Sequence, residues 1–237
     1  MVVARLAARD RHAGGDGALS GIMAGRFITF EGGEGAGKST QIRRLAARLR
    51  HEGHVVVTTR EPGGTPAAEA IREILLGGRA KPLGAEAEAL LFAAARTDHV
   101  DRLIRPALAN GDWVLSDRFT DSTHAYQGAT GGVDEELLDA LDRLAVGRTR
   151  PNLTFILDLP AAIGRARVDA RLAGTGQAPD RFEAEDIALH ERRRAAYLAI
   201  AGREPERCVV IDAEQPEDAV AEDVWRAVST RLLRRTA

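Results

Sequence analysis

Five short apolar runs punctuate the chain: "RFITFE" (26–31), "HVVVTT" (54–59), "DWVLSD" (112–117), "LTFILDL" (153–159) and "RCVVID" (207–212). Between them lie stretches of helical character, at 38–51, 66–76, 84–109, 134–146, 160–172, 184–202 and 216–234. Helices alternating with short apolar strands predict βαβ units, and hence an α/β fold with a parallel sheet covered on both faces. Gly/Pro clusters at 62–66, 77–84, 128–132 and 174–179 mark loops. The stretch "RLAGTGQAPDRFE" (171–183) joins two helices through small and polar residues and reads as a plain loop or a mobile lid.

Composition narrows the picture. A chain of 237 residues, 44% hydrophobic, suits one folded domain with or without an appendage. The 33 basic and 35 acidic residues nearly cancel, which argues against a nucleic-acid or membrane surface. No apolar run is long enough to span a membrane. The lone cysteine, Cys208, permits no intrachain disulfide and fits a reducing compartment such as the cytoplasm. It reads as a small buried apolar residue. Residues 1–24 are Ala/Gly/Arg-rich and lack a continuous apolar segment. They are expected to form a disordered leader, or to precede a true start at Met23, with a single domain over 25–237. Asp10 and Asp16 count against an organelle-targeting role.

The first apolar run leads into "EGGEGAGKST" (31–40). Gly32, Gly37, Lys38 and Ser39 occupy the fixed positions of G-x-x-x-x-G-K-[ST], between a strand and a helix as that motif requires. The backbone from Gly32 through Gly33, Glu34, Gly35, Ala36 and Gly37 to Thr40 is expected to turn its N–H groups around a phosphate, with the positive end of the following helix aimed at the same place. Lys38 supplies a point charge to the β- and γ-phosphates, and Ser39 a hydroxyl to Mg²⁺. A phosphate loop alone specifies only a nucleoside triphosphate such as ATP.

Other stretches bear on the second substrate. "TREPGGT" (59–65) would place Arg60 and Glu61 at the end of the second strand, where open α/β sheets gather ligands. In "LLFAAAR" (90–96), Phe92 and Arg96 are four apart and share a helix face, an aromatic and a guanidinium suited to a flat ring. "DWVLSDRF" ends a strand in Asp117, which can hold Mg²⁺ through water, and Arg118, which can grip a phosphate bidentately. "STHAYQG" (122–128) reads as a polar loop offering Thr123, Tyr126 and Gln127. Residues 165–183 carry Arg165, Arg167, Arg171 and Arg181 on a helix and lid, cations that can arrive once two anionic substrates are bound.

Taken together, "FEGGEGAGKST", "TREPGGT", "LLFAAAR", "PALANGDWVLSDRF", "STHAYQG" and "VVIDAEQP" resemble the thymidylate kinase family, in order from about Arg26 onward. The resemblance implies a P-loop nucleoside monophosphate kinase fold, with a five-stranded parallel sheet, helices on both faces and an arginine-bearing lid at about 171–183. It implies a homodimer that transfers the ATP γ-phosphoryl to dTMP with Mg²⁺. It places Glu34 near the dTMP sugar and phosphate, Phe92 on the thymine face and Arg96 at its edge. Arg118 falls on the dTMP phosphate, Tyr126 against the sugar 2′ position, and Thr123 and Gln127 in the same pocket. Where some relatives carry a catalytic arginine in the phosphate loop, this chain has Gly35. The implied source of that charge is the lid, with Arg171 first and Arg167 next. His124 replaces a common Gln, Ala93 stands where a close pattern has an aromatic, and the lid is longer than in familiar bacterial members.

The chemistry read from the residues agrees. The acceptor is already an anionic phosphate oxygen near neutral pH, so catalysis needs positioning and charge neutralisation more than a strong base. The nearest other reading is another deoxynucleotide or deoxynucleoside kinase on the same scaffold, of which a nucleoside kinase would need a base and no Arg118; from a different class comes a nucleotide-dependent switch or binding module. The guanine-reading "NKxD" of GTPases is absent.

Overall fold

The structure is a computed structural model and describes residues 25–176 and 178–233. The expected leader at 1–24 lies outside the described residues. Five strands, β1 (Arg26–Gly32), β2 (Val56–Arg60), β3 (Trp113–Asp117), β4 (Leu153–Asp158) and β5 (Cys208–Asp212), form one sheet in the order β2-β3-β1-β4-β5. Every pairing is parallel. β1 is the centre, and the chain leaves it in one direction to build β2 and β3 and in the other to build β4 and β5. The crevice beyond its C-terminal end is the topological switch point at which open α/β sheets bind ligands, and the glycine-rich loop occupies it.

Alternation along β1 explains the two-sided core. Ile28 and Phe30 face one layer, where they pack with Leu45 and Leu49 of α1 (Lys38–His51) and with Val224 of α9 (Glu217–Val228). Phe27 faces the opposite layer, with Ala89 of α3 (Ala85–His99) and Leu138 of α6 (Glu135–Val146). Thr29, on that second face, meets its register partner Thr154 through a 2.7 Å hydroxyl–hydroxyl hydrogen bond, which satisfies both polar groups inside the sheet. Glu31 extends the same face and is fully buried. The remaining helices are α2 (Pro66–Leu76), α4 (Arg105–Ala109), α5 (Thr120–Thr123), α7 (Ala161–Thr175) and α8 (Ile187–Arg203). Among the described residues, no helix is long and apolar enough to cross a membrane.

Three features differ from the pattern read along the sequence. The expected helix 84–109 is interrupted by a π-helical stretch at Val100–Ile104 before α4. Pro106 has no N–H, and its ring crowds the carbonyl four residues back, so the backbone widens ahead of it. The polar loop expected at 122–128 is helical: α5 continues as a π-helical stretch through His124–Thr130. Tertiary burial drives that change, since Thr123, Ala125, Tyr126 and Gln127 are all buried. Finally, α7 continues to Thr175, so the first residues of the expected lid are helical.

One packing detail positions everything that follows. α7 crosses the glycine-rich loop with backbone against backbone. A Cβ on Gly164 would lie 2.4 Å from the Glu34 carbonyl oxygen, and a Cβ on Gly35 would lie 2.3 Å from that of Gly164. Gly35 also has φ of +71°, a region that disfavours side chains. Gly164→Ala should therefore push α7 off the loop. The expected cost is about 1–3 kcal/mol of stability, typical of overpacking, together with a fall in turnover. Thermal unfolding and steady-state rates check this; unchanged values in both would mean the contact is slack.

Candidate active site

The loop between β1 and α1 wraps a small concavity. Gly32, Gly35 and Gly37 all have positive φ, and Gly37 caps α1 in the left-handed conformation without a side-chain bond; its carbonyl takes the Thr40 and Gln41 N–H groups at 3.1 Å, while those of Lys38 and Ser39 precede the first intrahelical bond. Ala36 is buried in the core and anchors the loop. Lys38 is buried, and its Nζ donates to the carbonyls of Gly33 at 2.8 Å and Gly32 at 3.2 Å. Burial, then the nearby Arg118, pushes the lysine pKa down, against the pull of Glu34 and Asp117. The ammonium thus folds over its own loop, within reach of an anion entering the nest.

Ser39 Oγ donates to Asp117 Oδ2 at 2.6 Å, joining the start of α1 to the end of β3. A hydroxyl and a carboxylate form an oxygen-only donor pair. That chemistry suits a hard divalent cation that completes its shell with water and phosphate oxygens. Among the described residues, no group of three or more His, Cys, Asp or Glu is arranged to cage a metal by itself.

Arg118 follows at once and has φ of 71°, the positive-φ non-glycine residue among those described. Such strain is sustained only where surrounding contacts over-determine it, and here they do. Nη2 donates to Glu34 Oε1 at 2.6 Å and to the Tyr126 hydroxyl at 3.0 Å. Nη1 donates to the Tyr197 hydroxyl at 2.8 Å, Ser122 Oγ at 3.1 Å and the Gly32 carbonyl at 3.2 Å. Burial raises the Glu34 pKa, but Arg118, then Lys38 and the Tyr126 hydroxyl outweigh it and hold the carboxyl at about 2. Tyr126 also donates to Glu34 at 2.8 Å.

These groups line one cleft of about 840 Å³, a size that suits small-molecule ligands. At one end lies the phosphate loop. Towards the other, Phe92 projects from α3 into the cleft, partly exposed, with its ring 6.3 Å from that of Phe182. Arg96 lies one turn on but is 2% exposed and heavily engaged. Its Nε donates to Glu61 at 2.7 Å, Nη2 to Thr123 Oγ1 at 3.0 Å and to the Phe119 carbonyl at 3.1 Å, and Nη1 to Asp142 at 3.4 Å. Five donors against four acceptors leave one Nη1 proton for the cleft. Thr123 is therefore a partner of Arg96 as well as a wall of the pocket. Gln127 is buried, and its Oε1 finds no donor among the described residues, an acceptor left for a ligand. Arg60 stands at the rim, paired with Glu69. Thr40 lies at the loop end of the cleft, its hydroxyl accepting from Arg43.

The four arginines of 165–183 part company. Gly164, Arg167 and Arg171 fall at i, i+3 and i+7 on α7, the face that crosses the phosphate loop, and both arginines line the cleft. Arg167 donates twice to the Ala213 carbonyl at 3.2 Å, while Arg171 pairs with Glu183 and remains 56% exposed. Arg165 turns away to Asp169 and to the carbonyls of Glu183 and Glu185. Arg181 pairs with Glu88 and stacks on Phe182.

Several participants carried no motif. Glu31 receives the Phe119 N–H at 2.7 Å and the Ser122 hydroxyl at 2.6 Å, and so sets the turn that presents Arg118. Burial, reinforced by Asp121, pushes its carboxyl up to about 8. Its signal in the sequence is faint: an acid closing an apolar strand. Tyr197 comes from α8, and Asp180 and Phe182 from the segment after α7; the sequence marks 171–183 as a stretch but singles out none of these three.

A family model described as thymidylate kinase matches residues 30–224. Proteins named thymidylate kinase are similar over most of their length. That of Bradyrhizobium sp. (strain BTAi1) is 58% identical over 90% of this chain and 93% of its own. That of Nitrobacter winogradskyi is 58% identical over 88% of this chain and 90% of its own. That of Rhodopseudomonas palustris (strain CGA009) is 57% identical over 89% of this chain and 91% of its own.

The Glu34–Arg118 pair gives a pH signature. Glu34 holds its proton less tightly in the folded chain, at about 2, than its ordinary value of 4.5. Its stabilisation is therefore complete above about 4.5 and is lost as pH falls towards 2. Glu34→Gln should flatten that part of the stability curve. Chemical denaturation of both proteins at pH 7, 4.5 and 3 checks it; parallel curves would show that the pair is not linked to folding.

Proposed function

The chain belongs to the thymidylate kinase family, and from that premise we propose that it transfers the γ-phosphoryl of ATP to the phosphate of dTMP, giving dTDP for dTTP synthesis. The observation that carries this reading is one cleft with two anion sites. The glycine-rich loop with Lys38 lies at one end, and Arg118 lies beyond it, with the cationic face of α7 across both.

The triphosphate lies on the loop from Gly32 to Thr40, with Lys38 released from the Gly33 carbonyl to the phosphates. Mg²⁺ would be held by Ser39 and Asp117, and would supply neutralisation of phosphate charge. Arg118, which now donates one hydrogen bond to the Glu34 carboxylate, takes the dTMP phosphate. Phe92 stacks on thymine, while Arg96 and the orphaned Gln127 acceptor answer polar groups of the nucleoside. Tyr126 closes the pocket at the sugar, where a 2′-hydroxyl would collide. The attacking oxygen is already anionic, so no residue is needed as a strong base. Gly35 leaves no room for a cation in the loop, and Arg171 with Arg167 approaches the transferring group from α7. The same reading makes the protein cytoplasmic and a homodimer; in support of a subunit contact, Leu90 on α3 and Leu144 on α6 leave large apolar side chains 55% and 78% exposed on adjacent helices.

Coupled ADP release with dTMP, dUMP, dCMP, GMP and thymidine tests the assignment. dTMP should dominate; thymidine as the best acceptor would make the protein a nucleoside kinase, and acceptor-independent hydrolysis would make it a switch. Two variants sharpen the mechanism. Arg171→Ala should lower kcat and kcat/KM together by about a hundredfold, as expected of a cation acting in the transition state, with a weaker loss for Arg167→Ala. Wild-type kcat in both variants would leave Lys38 and the metal to carry the charge. Phe92→Ala should weaken dTMP binding by about 1–3 kcal/mol, the worth of base stacking, and leave ATP binding unchanged. Calorimetric titration of both ligands decides, since equal losses would indicate general damage to the fold.

A further inference from the structure

Arg193 has no part in the roles described so far. It lies on α8 with its side chain 3% exposed, and its guanidinium carbon sits 3.9 Å from the centre of the Tyr126 ring. One arm pairs with Glu185, in the segment 178–186 that follows α7. Nε donates to Thr130 Oγ1 at 3.4 Å, while Nη1 is buried with no acceptor among the described residues. The same guanidinium is 5.8 Å from the centre of the Phe182 ring, which in turn packs edge-on against Tyr126 at 5.4 Å.

A buried cation with an unanswered donor is a poor choice if filling space is the only requirement. What this guanidinium does satisfy is the negative face of an aromatic ring, an attraction that grows as water is excluded. The Tyr126 hydroxyl is fixed independently by Glu34 and Arg118. Hydroxyl bonds alone would leave the ring free to swing about its C–O axis. Arg193 on the ring face, with Phe182 at its edge, removes that freedom, and through Glu185 the guanidinium ties the ring to a segment that lines the cleft.

We propose that Arg193 is a positioning residue for sugar selection: it holds the plane of Tyr126 against the nucleotide and makes that placement depend on the seating of residues 178–186. The inference rests on the reading of Tyr126 as the wall at the sugar 2′ position.

The test compares kcat/KM for dTMP and for ribothymidine 5′-monophosphate at saturating ATP, in the full chain and in Arg193→Met, Arg193→Lys and Tyr126→Leu. Wild type should strongly prefer the deoxynucleotide; a ratio near one overturns both the Tyr126 reading and this proposal. With a clear wild-type preference, Arg193→Met should lower the ratio by about five- to thirtyfold, the range spanned by partly and fully desolvated cation–π contacts. KM for ATP should stay within about twofold of wild type. Arg193→Lys keeps a cation over the ring and should fall between the two. Adding Arg193→Met to Tyr126→Leu should change the ratio no further. A well-folded Arg193→Met with the wild-type ratio overturns the positioning role while leaving the kinase reading intact. If Arg193→Met does not fold, the ratio in Arg193→Lys decides: no change overturns the proposal.

Discussion

The packing of Gly35 against Gly164, so close that a Cβ on Gly35 would fall 2.3 Å from the Gly164 carbonyl oxygen, is the constraint on which the other parts of the site depend. Two glycines let a helix lie directly on the phosphate loop, with no side chain between them. The loop cannot then carry a side chain at position 35, because both the left-handed backbone and the lack of room for a Cβ exclude one. The helix that excludes a side chain there carries Arg167 and Arg171 along the same face into the lining of the cleft. Position and charge are thus set by one contact.

The second organising element is the pair of buried acids at the head of the loop. Glu31 uses both carboxylate oxygens to hold the Phe119 amide and the Ser122 hydroxyl, and so fixes the strained turn at Arg118. Glu34 then neutralises Arg118 from the cleft side. The two carboxyls are shifted in opposite directions, Glu31 up to about 8 by burial and Glu34 down to about 2 chiefly by Arg118. Two acids three residues apart differ in this way because one is enclosed by the turn it supports and the other faces cations across an open site.

Much of this could be read along the chain. The five strands and the helices at 38–51 and 66–76 stand where the apolar runs and caps put them, because parallel strands buried on both faces must be apolar throughout. The phosphate loop, Ser39 with Asp117, and Arg118 lie close to strand ends, where chain order and sheet order together leave few places for a ligand. Elements whose form answers to packing were less legible. The segment 122–128 reads as a polar loop and is helical, since the polar groups of Ser122, Thr123 and Tyr126 are taken up by Glu31, Arg96, Glu34 and Arg118. The helix through 100–104 widens because of a proline that a simple pattern tolerates.

The sequence by itself determined the sheet, the anion-binding loop and the family, since each rests on local spacing or on ordered motifs. Tertiary structure decided which arginines of 165–183 face the cleft, because only α7 seated on the loop separates Arg167 and Arg171 from Arg165 and Arg181. It also decided that Arg96 is buried and braced by Glu61 and Asp142. The same is true of Tyr126, whose ring is clamped from α8 by Arg193. Such contacts join residues dozens of positions apart through burial and charge, and neither leaves a periodic trace in the order of amino acids.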